Sequence, residues 1–349
     1  MGTELMDFFG NANSTDEGGT VDVTNDFRNV TYDGEFKNVF RIKRILAIVI
    51  RETIDIYADC SVDEVVGLIG NVEVGMVGVE AGNEKIDSVE SHVSGEGKVT
   101  FDILVSVGIP AAMVDSFTCK YVKIKLDMEM QRDFTPGYIL SNRGLYYCAR
   151  MLSDQLGVIN KDTNYDVLVP VYSIWVVLVG KTLDIANKVL RYQLRNTGAV
   201  IVPSKYNSAV AKMDAVTGLI NMYFICIDKT ILETKQVKYD LDDVVEFVSL
   251  LFAGQFDDSR VTRHDIKFRM IIAEHRKELS KMANYLSEIE RVAMESEARG
   301  KVKWEARGII RTAIECGLNR NGVITMLLNK LDIPVEQAEE YYEEFSNQC

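Results

Sequence analysis

Phe101-Asp102, Tyr121-Val-Lys-Ile-Lys-Leu-Asp-Met-Glu-Met-Gln131 and Arg143-Gly-Leu-Tyr-Tyr147 are the stretches on which the reading of this chain turns. Taken with a period of two, Tyr121, Lys123, Lys125, Asp127, Glu129 and Gln131 share one side of a strand, and Val122, Ile124, Leu126, Met128 and Met130 share the other. A polar row backed by an apolar one is the ordinary pattern of a half-solvated sheet strand. Asp102 is less ordinary, because Phe101, Ile103, Leu104 and Val105 surround it. An acid in an apolar strand is costly to bury unless it is paired, hydrogen-bonded or bound to metal.

Working outward, Gly108-Ile-Pro110 closes the strand that follows Asp102, and Asp133-Phe-Thr-Pro-Gly137 closes the one that ends in Gln131. A helix is expected over 138–156, where Arg143, Tyr146 and Arg150 fall at i, i+3 and i+7. Asp154, four residues after Arg150, offers a simple ion pair; the competing reading turns Arg143 or Arg150 toward an oxyanion, which suits a planar guanidinium. Beyond it, a strand is expected over 167–179, a helix over 183–194 and a strand over 220–227, with helices from Leu241 to a stop at Gly254. Upstream, Phe36, Val39, Phe40, Ile45, Ile48 and Val49 are expected core positions of one or two amphipathic helices, and Ser61-Val-Asp-Glu64 reads as a capping box. Asp33 stands where acids cap helix starts. Residues 72–100 suggest short strands joined by turns. The order of elements indicates an α/β fold, a mixed central sheet flanked by helices, followed by an all-helical extension.

Three parts are expected: a mobile tail over 1–30, an α/β domain over 31–256, and a charged helical extension over 257–349. The extension ends in two short helices either side of Leu331-Asp-Ile-Pro334, a small helix-turn-helix-like pair. Its last helix carries Glu336, Glu339, Glu340, Glu343 and Glu344, too acidic to lie against phosphate, so oligomerisation through these helices is at least as good a reading as DNA contact. A net charge of −13 argues against coating nucleic acid by bulk electrostatics. Six cysteines without a C-x-x-C pair, with three histidines, make no zinc set and suggest reduced thiols in the cytoplasm. The apolar run Val167 to Gly180 is too short for a bilayer span, so no membrane association is expected.

Thr31-Tyr-Asp-Gly-Glu-Phe-Lys-Asn-Val-Phe40, Phe101-Asp-Ile103, Met128-Glu-Met-Gln131, Arg143-Gly-Leu-Tyr-Tyr147, Gln155 and Val171-Tyr-Ser-Ile-Trp175, in that order, resemble the PD-(D/E)XK nuclease superfamily, in its transposase-associated, recombination-promoting branch. The resemblance implies a restriction-endonuclease-like core and a Mg²⁺- or Mn²⁺-dependent DNA endonuclease linked to mobile elements or recombination. It places the metal on Asp102 and Glu129, a further acid at Asp33, Arg143 beside the scissile phosphate, and Gln131 where lysine is usual. Glutamine can orient water but carries no charge. Lys125 shares the Glu129 face but lies roughly 13 Å along the strand from it, too far to replace that charge, whereas Asp127 is one pleat away and suits a supporting carboxylate. The alternative is a catalytically inactive nuclease fold kept as a DNA-binding or protein-assembly module; an RNA-directed nuclease or toxin-like regulator is a third reading.

Overall fold

The structure, a computed structural model, describes residues 34–74, 90–93, 97–111, 123–156, 164–165, 168–181, 183–193 and 217–346. The expected tail over 1–30, Asp33, and the link between Asp102 and Tyr121 beyond residue 111 lie outside the described residues.

Residues 34–40 are helical, and the helix Lys43–Thr53 follows with Ile45 through Ile50 all buried. The six expected core positions in these segments are at most 1% exposed. Helix Val62–Leu68 opens on the expected box: Ser61 Oγ accepts from the Glu64 N–H at 3.2 Å, and Glu64 Oε2 accepts from the Ser61 N–H at 2.7 Å.

Six strands form one mixed sheet in the order β1-β4-β5-β6-β8-β7, with β1 at Ile69–Val74, β4 at Ile103–Gly108, β5 at Lys123–Gln131, β6 at Val171–Val179, β7 at Lys188–Gln193 and β8 at Ile220–Asp228. Strands β2 (Glu90–Val93) and β3 (Gly97–Thr100) pair apart as a two-stranded ribbon. β5, β6 and β8 run parallel, and the β1/β4, β4/β5 and β7/β8 pairs are antiparallel. All nine residues of β6 are buried, as a continuous apolar run between two covered faces requires. Helix Leu140–Ser153 makes the crossover from β5 to β6 and packs on β6 and β8.

The sheet divides two cores. On one face Ile103, Val105, Ile124, Leu126, Met128, Ile174, Val176 and Ile225 meet the helices Lys43–Thr53 and Asp243–Ala253. That core continues past residue 257 through Phe268, Leu279, Met282 and Leu286 on the long helix Phe268–Glu315. On the other face Phe101, Trp175, Val177, Met222 and Phe224 meet Leu140, Tyr147, Cys148 and Met151 of the crossover helix. A third core, built on Ala306, Ile310, Val323, Leu327, Ala338 and Tyr341, joins the far end of the long helix to Arg320–Leu331 and Val335–Phe345, the expected helix pair. Among the described residues no helix is long and apolar enough to cross a membrane.

One expected element is corrected. The helix anticipated over 183–194 is instead a turn followed by edge strand β7. Asn187 takes a left-handed φ of 61° and its Oδ1 accepts from the Asp228 N–H at 3.2 Å, which turns the chain onto β8 before Lys188. From there Val189 to Gln193 pairs residue for residue with β8, and that ladder overrides the local helical pattern.

Candidate active site

Asp102 immediately precedes β4, and the antiparallel register of Ile103 with Met128 brings it beside Glu129 and Met130 on β5. Two reciprocal bonds fix the junction: the Asp102 N–H donates to Glu129 Oε1 at 2.8 Å, and the Met130 N–H donates to Asp102 Oδ2 at 3.2 Å. The two acids singled out in the sequence, 27 residues apart, are thus brought together. The other Asp102 oxygen, Oδ1, is 3.1 Å from the ammonium of Lys37, which arrives from the helical segment 34–40.

The polar row of β5 is not half-solvated at its centre. Lys123 is exposed, but Asp127 and Glu129 are only 0% and 2% exposed, because the crossover helix covers them. That helix comes close at Gly144, where a Cβ would stand 3.2 Å from both Met222 Sδ and Trp175 Nε1. Parallel register sets Asp127 opposite Ser173 and Glu129 opposite Trp175. Trp175 Nε1 donates to Ser173 Oγ at 2.8 Å, and Ser173 Oγ donates to Asp127 Oδ2 at 2.9 Å. Asp127 Oδ1 is buried and has no hydrogen-bond donor among the described residues. Asp127 and Glu129 are neighbours on one face of β5, and both are held toward the protonated form. Burial is the main cause: it pushes Asp127 up to about 8 and Glu129 well above the usual carboxylate range, with the Asp127 and Asp102 charges adding to the rise at Glu129.

Arg143, from the first turn of the crossover helix, has Nη2 at 3.7 Å from Glu129 Oε2, an ion contact rather than a hydrogen bond. Its Nε and Nη2 donate to the Tyr147 hydroxyl at 3.2 and 2.8 Å, and Nη1 donates to the Tyr138 hydroxyl at 2.9 Å. The guanidinium carbon also lies 5.2 Å from the ring centroids of Tyr147 and Trp175. The arginine is therefore oriented by aromatic groups while its side chain keeps 36% exposure. Gln131 is half-buried at the end of β5. Arg150 is buried, and the pair expected between it and Asp154 is replaced: Asp154 takes Lys125 Nζ at 2.9 Å, which also keeps Lys125 away from Glu129.

A divalent cation of the Mg²⁺ or Mn²⁺ kind asks for hard oxygen ligands and accepts water for the remainder. Among the described residues no group of three or more His, Cys, Asp or Glu side chains is gathered closely enough to hold a metal ion. Asp102 has donors on both oxygens, whereas Asp127 Oδ1 has none among the described residues and Glu129 Oε2 has only the Arg143 ion contact given above. These carboxylate oxygens suit such an ion in kind, with Asp102 joining them only by giving up a present partner. The sequence reading missed Lys37 and the Ser173–Trp175 relay. Lys37 stood inside the stretch Thr31–Phe40 that carries the resemblance but was given no role, and Ser173 left its polarity inside an otherwise apolar strand.

Comparison of the chain with protein-family models, with curated proteins and with solved structures finds no match.

Proposed function

We propose that the chain is a metal-dependent endonuclease that hydrolyses phosphodiester bonds in DNA, connected with mobile elements or recombination. The observation that carries this reading is the convergence of Asp102, Asp127 and Glu129 at the β4/β5 junction, with Arg143 set against Glu129 and solvent reaching it at one side. Two buried acids held at raised pKa values, with a third carboxylate beside them, are more characteristic of a site than of a core. A Mg²⁺ or Mn²⁺ ion on Asp102 and Glu129, with water completing its shell and Asp102 giving up a present partner, would neutralise phosphate charge and lower the pKa of a water. Arg143, already fixed by two tyrosine hydroxyls, presents its fork to a non-bridging phosphate oxygen. Gln131 offers an amide to orient the water. The water oxygen bonds to phosphorus and gives up a proton, the bond from phosphorus to the leaving sugar oxygen breaks, and that oxygen takes up a proton, so that the net transfer is from water to the leaving group.

The test is calorimetric titration of Mn²⁺ into the wild type and Asp102→Ala, followed by incubation of both with supercoiled plasmid. Saturable binding and nicking in the wild type are expected, with nicking at least a hundredfold slower in the variant, about 3 kcal/mol of barrier. Equal nicking by the two proteins rules the reading out. A second reading, an inactive nuclease fold kept as a DNA-binding or assembly module, is favoured by one observation: both Asp102 oxygens are already taken by Lys37 and Met130. It predicts metal-independent binding to DNA or a partner, with no cleavage.

A further inference from the structure

We propose that Lys37 is a further catalytic residue, supplying to the scissile phosphate the positive charge that Gln131 cannot carry; this rests on the reading of the acid cluster as a phosphodiesterase centre. Lys37 is 5% exposed, and lysine is almost never that buried without a specific partner. The helical segment that carries it is anchored by Phe36 and Phe40, stacked 4.3 Å apart at the bottom of the first core, and by Glu35, paired with Lys281 on the long helix. Lys37 is thereby held at a fixed place over the sheet rather than left to swing. Its ammonium touches Asp102 Oδ1, while Asp102 Oδ2 touches the Met130 N–H, one residue from Gln131. One carboxylate therefore bridges Lys37 and the end of β5 where the charge is missing.

The chemistry follows from that position. One N–H of the ammonium faces Asp102 Oδ1. When Asp102 turns to other ligands, that donor is released to a non-bridging phosphate oxygen at the same cluster. No proton changes hands in this role; Lys37 stays charged and stabilises the charge that builds on phosphate as the leaving oxygen departs. A lysine that only neutralises Asp102 would make no such contact, and moving its charge to position 131 would not restore catalysis.

The experiment exchanges the two residues. Mn²⁺-supported plasmid nicking is measured for the wild type, Asp102→Ala, Lys37→Gln, Lys37→Arg and the double exchange Lys37→Gln with Gln131→Lys, with circular dichroism on each. Lys37→Gln should lose about a hundredfold in rate, Lys37→Arg should keep at least a tenth of it, and the exchange should return to within tenfold of the wild type. If Lys37→Gln fails to fold, the exchange variant, which returns a cation to the acids, decides: folded and active supports the role, folded and inactive overturns it. Wild-type nicking by Lys37→Gln while Asp102→Ala is dead overturns the role of Lys37 and leaves the nuclease reading standing. Nicking by the wild type no faster than by Asp102→Ala overturns both.

Discussion

The two faces of the six-stranded sheet are built from the same strands in opposite ways. The face toward helices Lys43–Thr53 and Asp243–Ala253 is lined along the sheet mainly by apolar side chains, from Ile103 and Leu126 to Ile174 and Ile225. The face toward Leu140–Ser153 buries Asp127, Glu129 and Ser173 among Trp175, Tyr147 and Phe224. Burial on the first face removes hydrocarbon from water and stabilises the fold. Burial on the second strips water from carboxyl groups, raises their pKa values and opposes folding at neutral pH. The first face holds the sheet in place so that the second can hold three acids together.

The largest expected effect breaks the closed face. Phe247 is fully buried there, with Phe268 edge-on at 5.3 Å. Phe247→Ala should cost about 3–5 kcal/mol in equilibrium urea unfolding, and a loss below about 1 kcal/mol would mean that this face is loosely packed. A smaller effect is expected where the crossover helix sits down on the acid face. Gly144→Ala places a methyl 3.2 Å from Trp175 Nε1 and Met222 Sδ, so the helix has to lift or Trp175 has to turn from Ser173. The expectation is about 1–3 kcal/mol of lost stability with a shifted Trp175 fluorescence, and a variant unchanged in both would show that the approach is not tight.

The smallest effect sharpens the contrast by sign. The Asp127 carboxyl is pushed up to about 8 in the folded chain, chiefly by burial, against an ordinary value near 3.9 when unfolded. Between those values the folded state holds a proton that the unfolded state has released, so stability falls as pH rises from about 4 to about 8. Asp127→Asn removes this penalty, and in metal-free buffer it should raise the unfolding free energy by about 1 kcal/mol at pH 8 and by nothing measurable at pH 4. A variant less stable than the wild type at pH 8 would reverse the sign and show that the carboxylate is stabilised there.

Much of this arrangement was legible in the residues. Period-two alternation located β5, the apolar neighbours of Asp102 marked it as an acid needing a partner, and Arg143 was placed on the helix after Gln131; all three meet in the structure. Alternation could not say whether the polar row of β5 faced water, because that depends on how closely a helix 13 residues later can approach, and Gly144 sets the approach. Lys37 was out of reach for a related reason. It meets Asp102 across 65 positions of chain, through a segment whose own pattern reports only the burial of Phe36, Val39 and Phe40. Strand β7 was misread because its pairing with β8, not its local pattern, decides its conformation.

The helix Phe268–Glu315 belongs to two cores, with Phe268 to Ile289 in the first and Ala306 to Ala313 in the third. Within it only His275 leaves helical geometry, with φ −112° and ψ 21°. From that residue to Glu315 the rod runs about 60 Å at 1.5 Å per residue. Beyond Ile289, the last residue it gives to the first core, the rod reaches Glu315 over about 39 Å, so a tilt of about 5° at that point would carry the far helices through about 3 Å.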